Sequence, residues 1–237
     1  MVPGPDQANL SRFVGQLKEF FEFQKDRGRQ FFPQSVKIQD ASILRADAHG
    51  LYESCAALSR AIAQCQNCLL ARNRRQAVPG QGPQNSPLMF IGEGPGFEED
   101  QKGRPFVGPA GQLLTKMIQA INLTREEVYI TNIVKCRPPE NRVPFDNEVE
   151  ACQSFLEEEI RLVDPRILVP LGSCAAQTLT RSKKKISDLR GQPLDFKGKR
   201  LIATYHPAYL LRNPGAKREA WEDLKKVRRE YDERETK

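Results

Sequence analysis

Short apolar segments alternate with amphipathic ones from about residue 51 onward, and this alternation constrains the fold more than any other feature. The amphipathic segments predict helices over 51–66, 110–121, 146–163 and 216–230, with Asp146 as the N-cap of the third. The apolar segments have the length of buried strands and lie at 88–91, 128–134, 167–172 and 200–205. Strands that are apolar on both faces and separated by helices predict an α/β fold, a three-layer α/β/α sandwich around a central four-stranded parallel sheet.

The first 50 residues have a different character. Residues 9–27 place apolar side chains at helical spacing, whereas residues 31–47 are mixed and polar and include Pro33. We therefore predict an N-terminal helical extension and linker at 1–50, followed by a single domain at 51–237. His49 falls in the linker and is predicted to be a surface residue.

Charge and composition narrow the class of protein. The 237 residues contain 37 Lys and Arg against 30 Asp and Glu, a net charge of +7 that favours a polyanionic partner without identifying one. No apolar segment approaches the roughly 20 residues of a membrane span, and the first residues lack the features of a signal peptide. We expect a cytoplasmic protein whose six cysteines are reduced.

Four of the cysteines have the spacing of a metal site. Two residues separate Cys65 from Cys68, so both sulfurs can face one metal group, and Cys136 and Cys152 supply a second, wider pair. Four thiolates suit zinc or an iron–sulfur cluster, and the spacing alone leaves both open. The other two, Cys55 and Cys174, are predicted to be small buried apolar side chains.

Three polar residues follow predicted strands and should meet in one crevice. Glu93, Asn132 and His206 each lie at or just beyond the end of a strand, and ligands of such folds bind at the carboxyl ends of the strands. The Gly-rich segment 92–96 lacks the third glycine of a dinucleotide fingerprint, and no Gly-Lys-Ser/Thr follows it. It instead offers exposed backbone that a flat ligand can approach closely.

Four motifs occur in one order together with the cysteine spacing. They are Gly-Glu-Gly-Pro-Gly at 92–96, Gly-Arg-Pro-Phe-Val-Gly at 103–108, Thr-Asn-Ile-Val-Lys-Cys-Arg-Pro-Pro at 131–139 and His-Pro-Ala-Tyr-Leu-Leu-Arg at 206–212. This combination closely resembles the family 4 uracil-DNA glycosylases, whose metal group is a 4Fe–4S cluster. The resemblance covers roughly residues 54–224. It implies that 51–237 is a glycosylase domain, monomeric, which hydrolyses deoxyuridine in double- or single-stranded DNA for base excision repair.

Two neighbouring families fit less well. Family 5 enzymes lack an acidic residue at the position of Glu93. Covalent uracil-binding relatives carry a reactive histidine in a loop after the second strand, and residues 135–144 contain none. A noncatalytic iron–sulfur protein for DNA binding or electron transfer stays open as an alternative from another functional class.

The resemblance also implies a role for individual residues. Phe106 would stack on the extruded uracil, Asn132 would read its edge, and His206 would stabilise charge on its O2 atom. Uracil-binding residues are thus Gly94, Phe106, Asn132 and His206, and the catalytic candidates are Glu93, Glu99, His206 and Asn141, the last to place water.

Contacts with the DNA itself are assigned to a loop and to basic clusters. Leu210, Leu211 and Arg212 resemble the loop that wedges into the duplex, although the two leucines could equally face the core. Phosphate contacts are considered for the basic residues Arg72, Arg74, Arg75, Lys183, Lys184 and Lys185.

Overall fold

A computed structural model describes residues 50–233, so the predicted N-terminal helix, most of the linker and His49 lie outside the described residues. A five-stranded sheet forms the centre, in the order β2-β1-β3-β5-β4. The first four of these are parallel and β4 is antiparallel to β5. The strands are β1 Leu88–Gly92, β2 Tyr129–Asn132, β3 Ile167–Pro170, β4 Leu194–Phe196 and β5 Lys199–Leu201. The predicted parallel sheet is confirmed.

The antiparallel strand β4 was not predicted. It pairs with β5 through a two-residue turn in which Lys197 and Gly198 both have positive φ, 52° and 81°. Such turns favour glycine and match the twist of the two strands of a hairpin. The pair Lys197-Gly198 is therefore the sequence feature that could have predicted this hairpin. The strand is partly exposed and only three residues long, so it lacks the apolar pattern that identified the other four.

The predicted helices are present but differ at their ends, and short helices that were not predicted occur as well. The first helix begins at Cys55, four residues later than expected, because Ser54 caps it: the Ser54 Oγ accepts a hydrogen bond from the Ala57 N–H at 3.2 Å. Asp146 is not the N-cap predicted for the long central helix. Phe145 occupies that position, and its N–H is held by Glu148 instead at 2.8 Å. The helices are α1 Cys55–Gln64, α2 Leu70–Asn73, α3 Phe97–Lys102, α4 Pro109–Ala120, α5 Asp146–Val163, α6 Gly172–Thr180, α7 Ile186–Leu189, α8 Pro207–Arg212 and α9 Lys217–Glu233.

Both faces of the sheet are covered, as a three-layer sandwich requires. Along β1, Met89 and Ile91 pack into one core with α1, α5 and α6, and Leu88 and Phe90 pack into another with α4 and α9. All four side chains are fully buried, which explains why this strand reads as a continuous apolar run. Among residues 50–233, no helix has the length and hydropathy needed to cross a membrane.

The strand order creates a crevice beside β1. The chain leaves β1 to form β2 on one side and later returns to place β3 on the other. The connections after β1 and β3 therefore diverge above their carboxyl ends, which is the usual position of a binding site in this architecture.

Candidate active site

A cleft of about 640 Å³ opens at the carboxyl ends of β1 and β2. Glu93 follows β1, Asn132 is the last residue of β2, and His206 precedes α8. The structure brings the predicted base-binding and catalytic residues together, because the cleft is lined by Glu93, Gly94, Glu99, Phe106, Asn132, Asn141, His206 and Arg212.

Asn132 presents an unsatisfied acceptor in this cleft. Its side chain is 1% exposed, and its Oδ1 has no hydrogen-bond partner among the described residues. A buried amide oxygen without a partner costs about 1–3 kcal/mol, so the site is suited to a ligand that brings an N–H group. The residue after Asn132 fixes its position, since the Ile133 N–H donates to Gly92 O at 2.9 Å and holds the end of β2 against β1.

Gly92 makes room for the side chains of Asn132 and Phe106. A Cβ added to this residue would lie 2.4 Å from Asn132 Oδ1 and 2.4 Å from the Phe106 ring. No real Cβ makes contacts that short, so the pocket requires glycine at the end of β1. Gly94 is similarly enclosed, with Val134 Cγ2 at 2.8 Å from the corresponding position.

Phe106 forms an aromatic wall of the cleft. Its side chain is 6% exposed, and its ring centroid lies 5.7 Å from that of His206. Its backbone has φ 53°, in the left-handed region that is uncommon for a residue with a bulky side chain. A conformation of this kind costs of order 1–3 kcal/mol and persists only where surrounding contacts hold it.

His206 is a neutral imidazole with a defined tautomer. Burial is the main reason that its pKa falls to about 4, and the positive charge of Arg212 lowers it further, whereas Glu99 opposes the shift. Its Nδ1 accepts a hydrogen bond from the Ala208 N–H at 3.1 Å. Because a neutral imidazole carries one N–H, the proton lies on Nε2, which is then a donor.

Glu93 and Glu99 have different environments. Burial raises the pKa of the Glu93 carboxyl above its usual value, as expected for a group that is to accept a proton. The oxygens of Glu99 instead accept three backbone hydrogen bonds, from Gly96, Val107 and Gly108 at 3.1, 2.8 and 2.9 Å. Those bonds hold the loop beyond Phe106, and Glu99 also lines the cleft, so its catalytic role stays a prediction.

The three residues predicted to form the DNA wedge differ in their exposure to solvent. Leu210 is 1% exposed and packs in the core with α4 and α9, so it cannot insert into a duplex as α8 stands, and that prediction is wrong. Leu211 is exposed at 45%, and Arg212 is exposed and lines the cleft. Asn141 also lies at the cleft, where its Oδ1 accepts from Arg137 Nε at 2.8 Å.

The four spaced cysteines all contribute to one hydrophobic core. Cys136 and Cys152 belong to the core on the α1–α5 side of the sheet, and Cys65 and Cys68 pack against it. Burial raises the pKa of the Cys152 thiol to about 12, and the neighbouring thiols of Cys136 and Cys65 contribute to that rise. The thiols of Cys68 and Cys65 likewise act on that of Cys136, and a shared metal site for the four cysteines stays a prediction.

Two of these sulfurs accept hydrogen bonds. Arg74 Nη1 donates to Cys136 Sγ at 2.9 Å, and the Asn67 N–H donates to Cys65 Sγ at 3.4 Å. This contact also corrects the phosphate role considered for Arg74, whose guanidinium is directed inward. Within residues 50–233, no three His, Cys, Asp or Glu side chains are grouped as ligands of a single metal ion.

Comparison with known proteins gives this cleft a family. The model of the "Uracil DNA glycosylase superfamily" matches residues 79–225, which is more than half of the chain. The chain belongs to the uracil-DNA glycosylase superfamily. The matched residues contain the cleft from Glu93 to Arg212.

Within the superfamily, the similarity is higher to one type. The chain is 44% identical over 175 residues to a type-4 uracil-DNA glycosylase of Thermotoga maritima, covering 72% of this chain and 91% of the relative. It is 41% identical over 186 residues to a type-4 enzyme of Archaeoglobus fulgidus, covering 74% and 92%. A type-5 uracil-DNA glycosylase of Pyrobaculum aerophilum is 34% identical over 155 residues, with 58% and 68% covered. The recognition of a family 4 pattern is confirmed.

Two residues with close contacts around the cleft and the cysteines were not assigned from the sequence. Gly92 was recognised only as part of a motif, although the lack of any side chain beside Asn132 could have been inferred from its position at the strand end. Arg74 was grouped with surface arginines, and no sequence signal distinguishes it from exposed Arg72. Lys183, Lys184 and Lys185 are all exposed, in agreement with a surface role.

Proposed function

We propose that this chain is a uracil-DNA glycosylase that extrudes a deoxyuridine from DNA and hydrolyses its N-glycosidic bond. Membership of the superfamily and 41–44% identity to type-4 enzymes support the activity. The observation that carries the assignment to this cleft is the buried, unpartnered Oδ1 of Asn132 beside Phe106 and a neutral His206.

Base recognition follows from the donors and acceptors in the cleft. Asn132 Oδ1 accepts from uracil N3–H, and its amide nitrogen donates to uracil O4. Cytosine has an acceptor at N3 and a donor at position 4, so it would reverse both interactions and leave the amide unpaired. Phe106 stacks on the ring, which replaces part of the stacking that the base loses when it leaves the helix.

Departure of the base is assisted by His206. When the N1–C1′ bond breaks, its electron pair moves onto the uracil ring and negative charge develops at O2. The Nε2–H of His206 donates to that oxygen, and because the imidazole is neutral it stabilises the uracil anion by a hydrogen bond without having to release a proton. Its pKa of about 4 means that this form predominates at neutral pH.

Glu93 acts on the sugar side of the bond. Positive, oxocarbenium-like charge develops at C1′ as the base leaves, and a carboxylate beside it is stabilising. Water then attacks C1′ and gives its proton to Glu93, whose raised pKa suits it as a base. The uracil anion takes up a proton from solvent as Glu93 releases its own, so the products are neutral uracil and an abasic deoxyribose. Asn141 lines the same cleft and is the residue assigned to hold that water.

Leu211 and Arg212 contact the DNA where the base is removed. Leu211 is exposed and fills the vacated position in a duplex, and Arg212 contacts a neighbouring phosphate. The buried Leu210 anchors α8 beneath them.

The four cysteines Cys65, Cys68, Cys136 and Cys152 hold a 4Fe–4S cluster in this proposal. The resemblance to the family 4 enzymes and the identity to type-4 relatives support a cluster in preference to zinc. The cluster, when bound, is a structural cross-link between the loop after α1, the end of β2 and α5, and its polar surroundings include the Arg74 donor.

A cleavage assay tests the function. Purified protein is mixed with an end-labelled oligonucleotide that contains one uracil, and alkali then breaks any abasic site. We expect multiple-turnover cleavage, a loss of at least about 100-fold in Asn132→Ala and in His206→Ala, and little change in Asn147→Ala, an exposed asparagine on α5. A folded wild-type protein that binds DNA but leaves uracil in place would support the noncatalytic iron–sulfur alternative instead.

The cluster is tested separately, by colour and by metal analysis. We expect brown protein that contains iron and acid-labile sulfide. Cys136→Ser should lose both, whereas Cys174→Ser, the matched control outside the cysteine site, should keep them. Zinc in place of iron would refute the cluster assignment and leave the glycosylase proposal intact.

A further inference from the structure

The wall of the cleft formed by Phe106 is held in an uncommon backbone conformation. Its φ of 53° places a bulky residue in the left-handed region, where contacts from elsewhere must maintain it. The next two N–H groups, of Val107 and Gly108, bind Glu99. Those bonds fix the chain after Phe106 but leave the Phe106 carbonyl itself to other partners.

The Phe106 carbonyl accepts a hydrogen bond from an arginine in another part of the chain. Arg125 lies in the connection between α4 and β2, outside every motif that identified the family. Its Nη1 donates to Phe106 O at 2.9 Å, and its Nη2 donates to Pro105 O. One planar guanidinium thus binds the carbonyls of two successive peptide groups, Pro105–Phe106 and Phe106–Val107, and orients both.

The opposite side of the same carbonyl is closed by α4. A Cβ added to Gly111 would lie 2.0 Å from both the carbonyl carbon and oxygen of Phe106. The Phe106 backbone is therefore enclosed between Gly111 and Arg125, and its ring between Gly92 and His206. Rotation of the backbone out of its left-handed conformation would move the carbonyl away from Arg125 and the ring out of the cleft.

We propose that Arg125 is a positioning residue for base recognition, which holds Phe106 in the conformation that stacks on the extruded uracil. This inference rests on the proposed function. Arg125 does not line the cleft, so it acts through Phe106 and does not touch the base. A lysine at this position keeps the charge but presents a single ammonium group in place of a rigid two-pronged donor, so it should hold the two carbonyls poorly.

A second arginine in the chain provides a matched control. Arg228 of α9 donates to the carbonyls of Ile121 and Asn122 at 3.1 and 3.3 Å, at the other end of the connection that carries Arg125. Asn122 also has a left-handed φ, 54°. Arg228→Lys therefore removes the same kind of contact from the same connection, and neither Arg228 nor the residues it binds line the cleft.

The experiment compares Arg125→Lys with Arg228→Lys in the cluster-containing full-length protein. Single-turnover cleavage of the uracil oligonucleotide and inhibition by free uracil are measured, together with thermal unfolding. We expect Arg125→Lys to lower the cleavage rate at least 10-fold and to weaken inhibition by uracil to a similar extent. Arg228→Lys should stay within about twofold of wild type in both measurements even if it lowers the thermal midpoint equally. If Arg125→Lys does not fold, Arg125→Gln, which keeps one amide donor, takes its place.

A double substitution separates positioning from general stability. If Arg125 acts through Phe106, then Arg125→Lys should have less than a twofold effect in a Phe106→Leu background, where there is no aromatic ring to place. Equal losses in the Arg125 and Arg228 variants, or an undiminished effect of Arg125→Lys beside Phe106→Leu, would overturn the inference. Neither result bears on the proposed function, which is decided by whether the wild-type protein cleaves.

Discussion

The substitution Gly92→Ala adds one carbon atom beside Asn132 and Phe106, and it tests whether the proposed uracil pocket requires glycine at this position. The added Cβ would lie 2.4 Å from Asn132 Oδ1 and from the Phe106 ring, whereas ordinary contacts begin at 3.4 Å. Both side chains must therefore move by about 1 Å, and both are buried among neighbouring atoms. A displacement of about 1 Å at a reacting group costs roughly 100-fold in rate, and overpacking of this kind costs about 1–3 kcal/mol of stability.

Single-turnover cleavage of a uracil oligonucleotide measures the first effect, and urea unfolding measures the second. We expect a loss of about 100-fold in rate, because Asn132 and Phe106 are displaced together. Gly215→Ala is the control, since no atom lies within 4 Å of its added Cβ, and its rate should equal that of wild type. A Gly92→Ala protein that cleaves at the wild-type rate would refute the view that Gly92 sets the distance between these two side chains.

Three further predictions concern other parts of the site. The folded-state pKa of His206, about 4, lies below the usual 6.5. The unfolded chain therefore binds the proton first as pH falls, and wild type should lose up to about 3 kcal/mol of unfolding free energy between pH 6.5 and 4 relative to His206→Asn, measured by urea titration at each pH. Glu93→Gln should abolish cleavage with a nearly unchanged thermal midpoint, whereas Glu99→Gln should lower the midpoint, because its new amide group faces backbone N–H donors; the reverse pattern would exchange their roles. Leu211→Ala should slow cleavage of duplex more than of single-stranded substrate, whereas Leu210→Ala should cost about 2–5 kcal/mol of stability on denaturant unfolding; equal rates on both substrates would remove Leu211 from the wedge.

The sequence was sufficient for the parts of the fold that depend on burial on both faces. The strands β1, β2 and β3 are largely apolar and buried, and helices with one apolar face separate them, so the sequence pattern located them. The strand β5 was found from the apolar residues Leu201, Ile202 and Ala203 at and beyond its end. The sequence pattern failed for β4, because a short strand at the sheet edge needs no apolar run. Its position depends on pairing with β5 and on the Lys197-Gly198 turn.

The candidate site was predictable where a residue follows a strand, and less so where a side chain is held by distant backbone. Glu93, Asn132 and His206 could be placed at one edge because parallel strands bring their carboxyl ends together. The hydrogen bonds of Glu99 and the contacts of Arg125 depend on how loops fold back, and no local pattern reports them. The choice between core and surface for Leu210 and Leu211 also needed the orientation of α8, which the one-letter sequence leaves open.

The order of the strands has a consequence for how this protein is made. A chain whose synthesis stops before β5 already contains all four cysteines of the metal site, together with Phe106 and Asn132, but it lacks His206. Such a fragment would lack the histidine that we propose stabilises the departing base, and β3 would present an unpaired, apolar edge. Exposed edges of this kind promote aggregation, so the incomplete chain should be lost before it can occupy damaged DNA. The strand β5 covers this edge and leads into His206. The same stretch of chain therefore completes the sheet and adds the histidine to the cleft.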